Sequence, residues 1–180
     1  MVLFRPAILM IAAFLVFGGS AAAQKKTPKK PTKNKPIVSK TTVPPLAVRV
    51  GREKVEIQLG NVNKFIDLLG PIAQAIESLD ETAKTRSLPK TTADKNEANK
   101  QKVIAAIRNL RAGLSDLESE FRTTPDLQKY LPNIKGITDL AANSEDLAIA
   151  GKFIDSKGPL RQVAQLLNDT LAAMPLSPAS

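Results

Sequence analysis

Apolar residues recur at steps of three and four along residues 55–76, and no other feature of this sequence limits its fold as strongly. An α-helix has 3.6 residues per turn, so residues spaced in this way lie on one face. The stripe keeps its phase across Pro71, which predicts one helix over about residues 52–84, kinked where Pro71 cannot donate to the carbonyl of Asp67. Its members are Val55, Leu59, Val62, Ile66, Leu69, Ala73 and Ile76.

The start of this helix has a second interpretation. Apolar residues also alternate on both sides of Gly51, a pattern that is typical of a β-hairpin. An isolated two-stranded hairpin is marginally stable in water, so we favour a helix over residues 46–59 and keep the hairpin as the alternative. The alternating residues are Leu46, Val48, Val50, Val55, Ile57 and Leu59.

A second helix is predicted over about residues 93–122. Thr92 is its expected N-cap, and Asp94 lies in the first turn, where an acid interacts favourably with the helix dipole. Glu118 and Arg122 are spaced for an ion pair along the helix. The apolar stripe consists of Val103 or Ile104, Ile107, Leu110, Leu114, Leu117 and Phe121.

Proline marks the limits of two further helices. Thr124-Pro125-Asp126 predicts the start of a third helix, which Pro132 can split, while Pro159 opens a fourth helix and Pro175 ends it. The third stripe is Leu127, Tyr130, Leu131, Ile134, Ile137, Ala141 and Leu147 or Ala148, and the fourth is Leu160, Val163, Leu167, Leu171 and Met174.

Four amphipathic helices with short connectors favour antiparallel neighbours. Residues 47–180 are enough for one hydrophobic core. The sequence therefore predicts an all-α fold, an up-down-up-down four-helix bundle whose first helix is kinked at Pro71 and whose last helix is short.

Residues 1–23 have the organisation of a secretory signal peptide. The apolar run from Ala7 to Phe17 is shorter than the roughly 20 residues that span a bilayer, and Ala21-Ala22-Ala23 fits a cleavage site before Gln24. We therefore expect an exported protein, periplasmic or extracellular. An uncleaved membrane anchor is the alternative, because the lysines that follow oppose translocation.

The basic charge of the chain is concentrated in residues 24–46. Of 26 Lys and Arg, eight precede residue 47, which leaves 18 to balance the 17 Asp and Glu of residues 47–180. Five prolines and mutual lysine repulsion predict a disordered linker. Its seven lysines are the candidate site for binding an anionic envelope surface or polymer, and a solvated spacer is the alternative: Lys25, Lys26, Lys29, Lys30, Lys33, Lys35 and Lys40. Base-stacking aromatics are absent from this segment, so sequence-specific nucleic-acid binding is not expected.

Charged residues of the second and third helices show no catalytic arrangement. Asp116, Glu118 and Glu120 alternate, and positions two apart point to different sides of a helix, so a solvated face is expected rather than an acid–base pair. Glu145 and Asp146 are interpreted in the same way.

Basic residues of the second helix form a candidate anion-binding patch. Arg108 and Arg111 lie one or two turns after Lys100 and Lys102. The acids interspersed among them favour ordinary surface charge.

A signal segment followed by four helices, the third opened by Pro125, resembles the layout of the periplasmic cytochrome bundles of the b562 and c′ types. Those proteins hold haem through His, through Met or through a Cys-x-x-Cys-His attachment. This chain has no His and no Cys, and beyond the signal segment its one Met is Met174. The resemblance is therefore one of topology, and no haem, metal or other cofactor is expected.

These observations predict an exported, non-enzymatic helical protein that acts as an interaction or structural module of the cell envelope. Its partner can be an anionic surface or polymer, or a protein that the sequence does not identify. The alternative is a bundle that binds a small apolar ligand between helices near Pro71.

Overall fold

The structure of the protein, a computed structural model, describes residues 43–176. These residues are all-helical and include no strand, which confirms the all-α prediction for this part of the chain. The helices are α1 (Leu46–Thr85), α2 (Lys90–Thr123), α3 (Leu131–Ile134), α4 (Ile137–Ile149) and α5 (Lys157–Ala173), with a short 3₁₀ helix (Gln128–Tyr130) before α3.

The helical interpretation of residues 46–59 is confirmed, and the hairpin alternative is wrong. Helix α1 begins directly after Pro45, about six residues before the predicted start, and Pro71 lies inside it without ending it. A proline at a helix start removes a donor that would have no helical partner, so α1 can begin there at little cost. Buried residues recur at intervals of seven along α1: Val48, Val55, Val62, Leu69 and Ile76.

Helix α2 runs antiparallel to α1. Lys54 Nζ lies 2.7 Å from the Glu120 carboxylate near one end of the pair, and Asn96 Nδ2 donates to Asp80 at 2.8 Å near the other. The prediction of α2 is confirmed, except that Pro89 rather than Thr92 is its N-cap.

The prediction that a third helix starts at Thr124-Pro125-Asp126 is wrong. The chain forms a turn there, then the 3₁₀ helix and α3, and α4 begins after Gly136, whose φ of 93° is left-handed. A glycine adopts that conformation without steric cost, so it ends one helix and allows the next to begin in a new direction. The predicted stripe is nevertheless buried at Leu127, Tyr130, Ile134, Ile137, Ala141 and Ala148.

The fourth predicted helix is confirmed as α5, which spans 17 residues and ends before Pro175. It is short compared with α1 and α2, as the sequence predicts, although α4 is shorter still with 13 residues. Helix α4 stops at a Schellman motif, in which Gly151 has φ 78° and the Lys152 N–H donates to the Leu147 carbonyl at 2.9 Å.

Helices α4 and α5 pack against each other and cover one side of the α1–α2 pair, α4 on α2 and α5 on α1. We call the covered side the inner face and the opposite side the outer face. The inner face contains buried residues such as Leu114 and Glu118, and Leu69 is buried in the core between the two faces. The outer face contains exposed residues such as Ile57, Leu68, Lys102 and Asp116.

Candidate functional site

Glu118 of α2 is buried on the inner face, where its carboxylate binds the start of α4. The Gly136 and Thr138 N–H groups donate to it at 3.2 Å each, and the Thr138 hydroxyl donates at 2.8 Å. The first N–H groups of a helix have no helical acceptor, so a carboxylate from a neighbouring helix satisfies them and interacts favourably with the helix dipole. Arg122, one turn later, completes the predicted ion pair at 3.2 Å.

Glu145 of α4 is held from the opposite direction. Its side chain is 6% exposed and accepts hydrogen bonds from Arg108 Nε at 2.8 Å and from Arg111 Nη1 at 3.1 Å. Two guanidinium donors on one buried carboxylate give a charge-assisted pair of hydrogen bonds. Glu118 and Glu145 therefore attach α4 to α2 at two heights, and we call these two contacts the α4 clamps.

Both clamp carboxylates have a pKa below the ordinary value. Burial raises the pKa of Glu118, but its bonds from Thr138 and Gly136 and the charge of Arg122 outweigh burial. Burial likewise raises the pKa of Glu145, and its bonds from Arg108 and Arg111 outweigh that effect. Each carboxylate is thus favoured in its charged form because its donors stabilise the anion more than burial penalises it.

The clamps correct two expectations from the sequence. Glu118 and Glu145 are buried, whereas the sequence predicts that they lie on solvated faces. Arg108 and Arg111 do face an anion, but that anion is Glu145 of the same domain. No periodic pattern reveals these contacts, because the donors come from helices that are distant in sequence.

The two lysines of the candidate patch differ. Lys100 Nζ lies 2.7 Å from Asp80 on α1, in a small polar network with the buried side chain of Asn96. Lys102 points to the outer face and has no ion-pair partner among residues 43–176. The four basic residues are therefore divided among three locations and do not form one patch.

An apolar groove lies on the outer face between α1 and α2. Its volume is about 320 Å³, and we call it the outer groove. Small-molecule sites begin at about 300 Å³, so the outer groove is at the lower end of that range. Pro71 does not line the groove but directly precedes Ile72, which does, and Leu68 on its rim is 56% exposed. The groove is lined by Phe65, Leu68, Leu69, Ile72, Asn99, Lys102, Val103 and Ala106.

The seven predicted surface-binding lysines, Lys25 to Lys40, lie outside the described residues, as does the predicted signal peptide. Within residues 43–176, no helix is both long and apolar enough to cross a bilayer. The same part of the chain contains no group of three or more acidic residues placed to hold a metal ion. Of the candidate sites that the sequence predicts, the apolar ligand site is thus the one that remains within residues 43–176, and the outer groove is its candidate location.

Comparison of the chain with protein-family models, with curated proteins and with solved structures finds no match in any of the three. The function is therefore inferred from the charges and contacts of this chain alone.

Proposed function

We propose that this chain is an exported, non-enzymatic interaction module of the cell envelope whose basic segment, residues 24–46, docks it to an anionic surface. The distribution of charge carries the proposal: seven lysines and no acid lie in residues 24–46, while residues 47–180 are almost neutral. Near an anionic membrane each lysine contributes about 1 kcal/mol to binding, so seven together supply a substantial affinity.

The contacts of the domain support a non-enzymatic role. The carboxylates of Glu118 and Glu145 are the buried acids among residues 43–176, and every one of their oxygens accepts at least one hydrogen bond from a neighbouring residue. A general base must reach the proton of a substrate, whereas these two buried carboxylates bind groups of the protein itself.

We further propose that the four long helices constitute an up-down-up-down four-helix bundle with α1 kinked at Pro71. Antiparallel contacts support this arrangement. Thr138 at the start of α4 meets Glu118 near the end of α2, and Arg52 near the start of α1 meets Met174 after α5.

The docking proposal is tested by binding to vesicles of anionic phospholipid. Replacing all seven lysines of residues 24–46 by Gln keeps the length of the segment and removes its charge. We expect binding to fall by more than about a thousandfold at low salt, and the binding of the unchanged protein to weaken steeply as salt is raised.

Lys84, Lys135 and Lys152 provide the matched control, because they are exposed lysines of the domain. Their replacement by Gln should leave binding to anionic vesicles within about threefold of the unchanged protein. Equal binding by the seven-lysine variant and the unchanged protein would contradict docking and would leave the segment as a spacer.

Export is tested by the mature N-terminus. Mass spectrometry of the protein from the envelope fraction should give a chain that begins at Gln24. An intact Met1 in the membrane fraction would instead identify the uncleaved anchor.

Binding of a small apolar molecule is the second candidate function, and the outer groove beside Pro71 is the observation that favours it. Decanoic acid is a suitable probe, since its chain matches the apolar walls and its carboxylate could pair with Lys102. Binding in a calorimeter that Leu68→Lys abolishes would support this candidate. Ile149→Lys is the control, because Ile149 is equally exposed on α4 and lies outside the outer groove.

A further inference from the structure

The outer face of α2 carries opposite charges at two heights. Lys102, Asn109 and Asp116 follow one another at intervals of seven residues, so they lie along one side of the helix. All three are exposed, and neither Lys102 nor Asp116 has an ion-pair partner within residues 43–176. The two charges are about 21 Å apart along the helix axis, with Asn109 midway between them.

The outer face of α1 carries exposed apolar side chains, and two of them have a similar arrangement. Ile57 is 54% exposed and Leu68 is 56% exposed. Eleven residues make almost three full turns, so both side chains point to the same side, about 16 Å apart along the axis. Asn61 lies close to their midpoint and is also exposed.

The two midpoints lie at the same height of the α1–α2 pair. Gln58 of α1 packs directly against Gly113 of α2, where an added Cβ would come within 2.9 Å of the Gln58 amide nitrogen. Lys54 meets Glu120 about one turn further along. Counting from these two contacts places Asn61 and Asn109 within about one helical turn of each other in height.

We propose that the outer face binds a second copy of this chain, turned end to end about a two-fold axis that passes at the height of Asn61 and Asn109. In this arrangement Lys102 faces the partner's Asp116, and Ile57 packs against the partner's Leu68. A two-fold interface repeats every contact, so two ion pairs and two apolar contacts form from four residues of each chain.

The charge pattern favours a second copy over other occupants. A two-fold interface requires one surface to be complementary to itself, and the basic and acidic halves of α2 meet this requirement only when the copies are antiparallel. A small ligand in the outer groove would cover Leu68 and leave Ile57 exposed. The basic segment of the same chain would bring lysines towards Lys102, which repels them.

Lys64 is the charged residue of α1 nearest the proposed axis. It is exposed on the same side as Leu68, and the two-fold operation brings it close to the partner's Lys64. These two like charges oppose association. Lys64→Gln should therefore tighten the dimer about two- to fivefold, an effect that damage to the fold would not produce.

The consequence for surface docking rests on the proposed function. A dimer carries two basic segments, so the second attachment to the same surface becomes intramolecular and overall binding rises without any new contact. Association itself needs none of the seven lysines.

Sedimentation velocity of the purified full chain over a wide concentration range tests the proposal. The unchanged protein should shift from one to two chains per particle as its concentration rises. Lys102→Asp and Asp116→Lys should each raise the dissociation constant at least about tenfold, because each variant places two like charges opposite one another. The double variant Lys102→Asp with Asp116→Lys restores opposite charges and should return the constant to within about threefold.

Asp146→Lys is the matched control, because Asp146 is an exposed acid on α4, away from the outer face. It should leave the dissociation constant unchanged. A protein that is monomeric at every concentration would overturn the proposal, as would single variants that associate like the unchanged protein. A monomer that binds decanoic acid would overturn it in favour of the small-ligand candidate.

These experiments distinguish failure of the dimer proposal from failure of the docking proposal. If the seven-lysine variant loses vesicle binding yet still dimerises, both proposals stand. If vesicle binding does not depend on the lysines but charge reversal at Lys102 still disrupts the dimer, the docking proposal fails and the dimer remains.

Discussion

The inner and outer faces of the α1–α2 pair are built by the same two helices and differ in how their polar groups are satisfied. On the inner face, the carboxylate of Glu118 is surrounded by donors from α4. On the outer face, Asp116, two residues earlier, is exposed and has no ion-pair partner among residues 43–176. The inner face is complete within one chain, whereas the outer face still has unsatisfied charge and apolar surface.

Apolar residues show the same contrast. Leu69 is 1% exposed and lies in the core, while its neighbour Leu68 is 56% exposed on the rim of the outer groove. Adjacent residues of identical chemistry thus have different roles according to the face that they occupy. Matched pairs of this kind allow structural and binding contributions to be measured separately.

The largest difference between the faces is expected for this leucine pair. Leu69→Ala leaves a cavity in a packed core and should lower the free energy of unfolding by about 3 kcal/mol. Leu68→Ala removes an exposed side chain and should change it by less than about 0.5 kcal/mol. Urea unfolding at a protein concentration too low for association measures both values, and similar losses would show that the faces are not distinct.

Acid should release both α4 clamps together. The pKa values of Glu118 and Glu145 are lowered from 4.5 in the folded protein, so their stabilisation is complete above that value and is lost as pH falls through the lower folded values. Urea midpoints measured from about pH 7 to about pH 3 should decrease once the pH falls below 4.5.

The double variant Glu118→Gln with Glu145→Gln is the control for this experiment. It should be less stable at neutral pH and should lose less stability on acidification, because it has no clamp carboxylate to protonate. A pH dependence as steep as that of the unchanged protein would contradict the assignment.

Removing one clamp has a smaller effect. In Glu145→Gln the amide NH₂ faces a guanidinium donor, and we expect a loss of about 1–2 kcal/mol, limited because Arg108 and Arg111 are about half exposed and stay hydrated. The neighbouring change Asp146→Asn should alter stability by less than about 0.5 kcal/mol, because Asp146 is exposed. Thermal unfolding of the two variants compares them directly, and equal values would exclude a clamp at Glu145.

The smallest change in the free energy of unfolding is expected at the contact between α1 and the C-terminal end of α5. Arg52 Nη1 donates to the Leu171 carbonyl at 2.6 Å and to the Met174 carbonyl at 3.0 Å, so it satisfies acceptors that the helix end leaves free. Arg52→Gln should cost about 1 kcal/mol in urea unfolding. Arg161→Gln on exposed α5 surface is the control, and a loss as large as that of Arg52→Gln would show that the contact contributes nothing.

The sequence predicts the helices of this fold well, because burial on one side of a helix leaves a periodic record. Most stripe residues of α1, α2 and α5 are buried as their spacing predicts, and the others are partly buried, namely Leu59, Ile66, Leu110 and Leu171. The stripe from Leu127 to Ala148 is also buried, although the single helix predicted for it is wrong. Spacing reports which residues face the core, but it does not detect the left-handed Gly136 that divides the segment.

The candidate site is less predictable for a physical reason. Burial of Glu118 depends on Gly136 and Thr138, and burial of Glu145 depends on Arg108 and Arg111, which the fold alone brings near. The spacing of Lys102, Asn109 and Asp116 is visible in the sequence. Its meaning emerges only when the contact of Gln58 with Gly113 fixes the relative height of α1 and α2.

Glu118→Gln and Asp116→Asn, two residues apart on α2, provide the most direct test of the division between the two faces. Thermal unfolding of a dilute sample and sedimentation of a concentrated sample should be measured for each. We predict that Glu118→Gln lowers the melting temperature by about 3–8 °C and leaves the dissociation constant unchanged, while Asp116→Asn leaves the melting temperature unchanged and weakens association about two- to tenfold. Two variants that change both properties to the same extent would contradict the account.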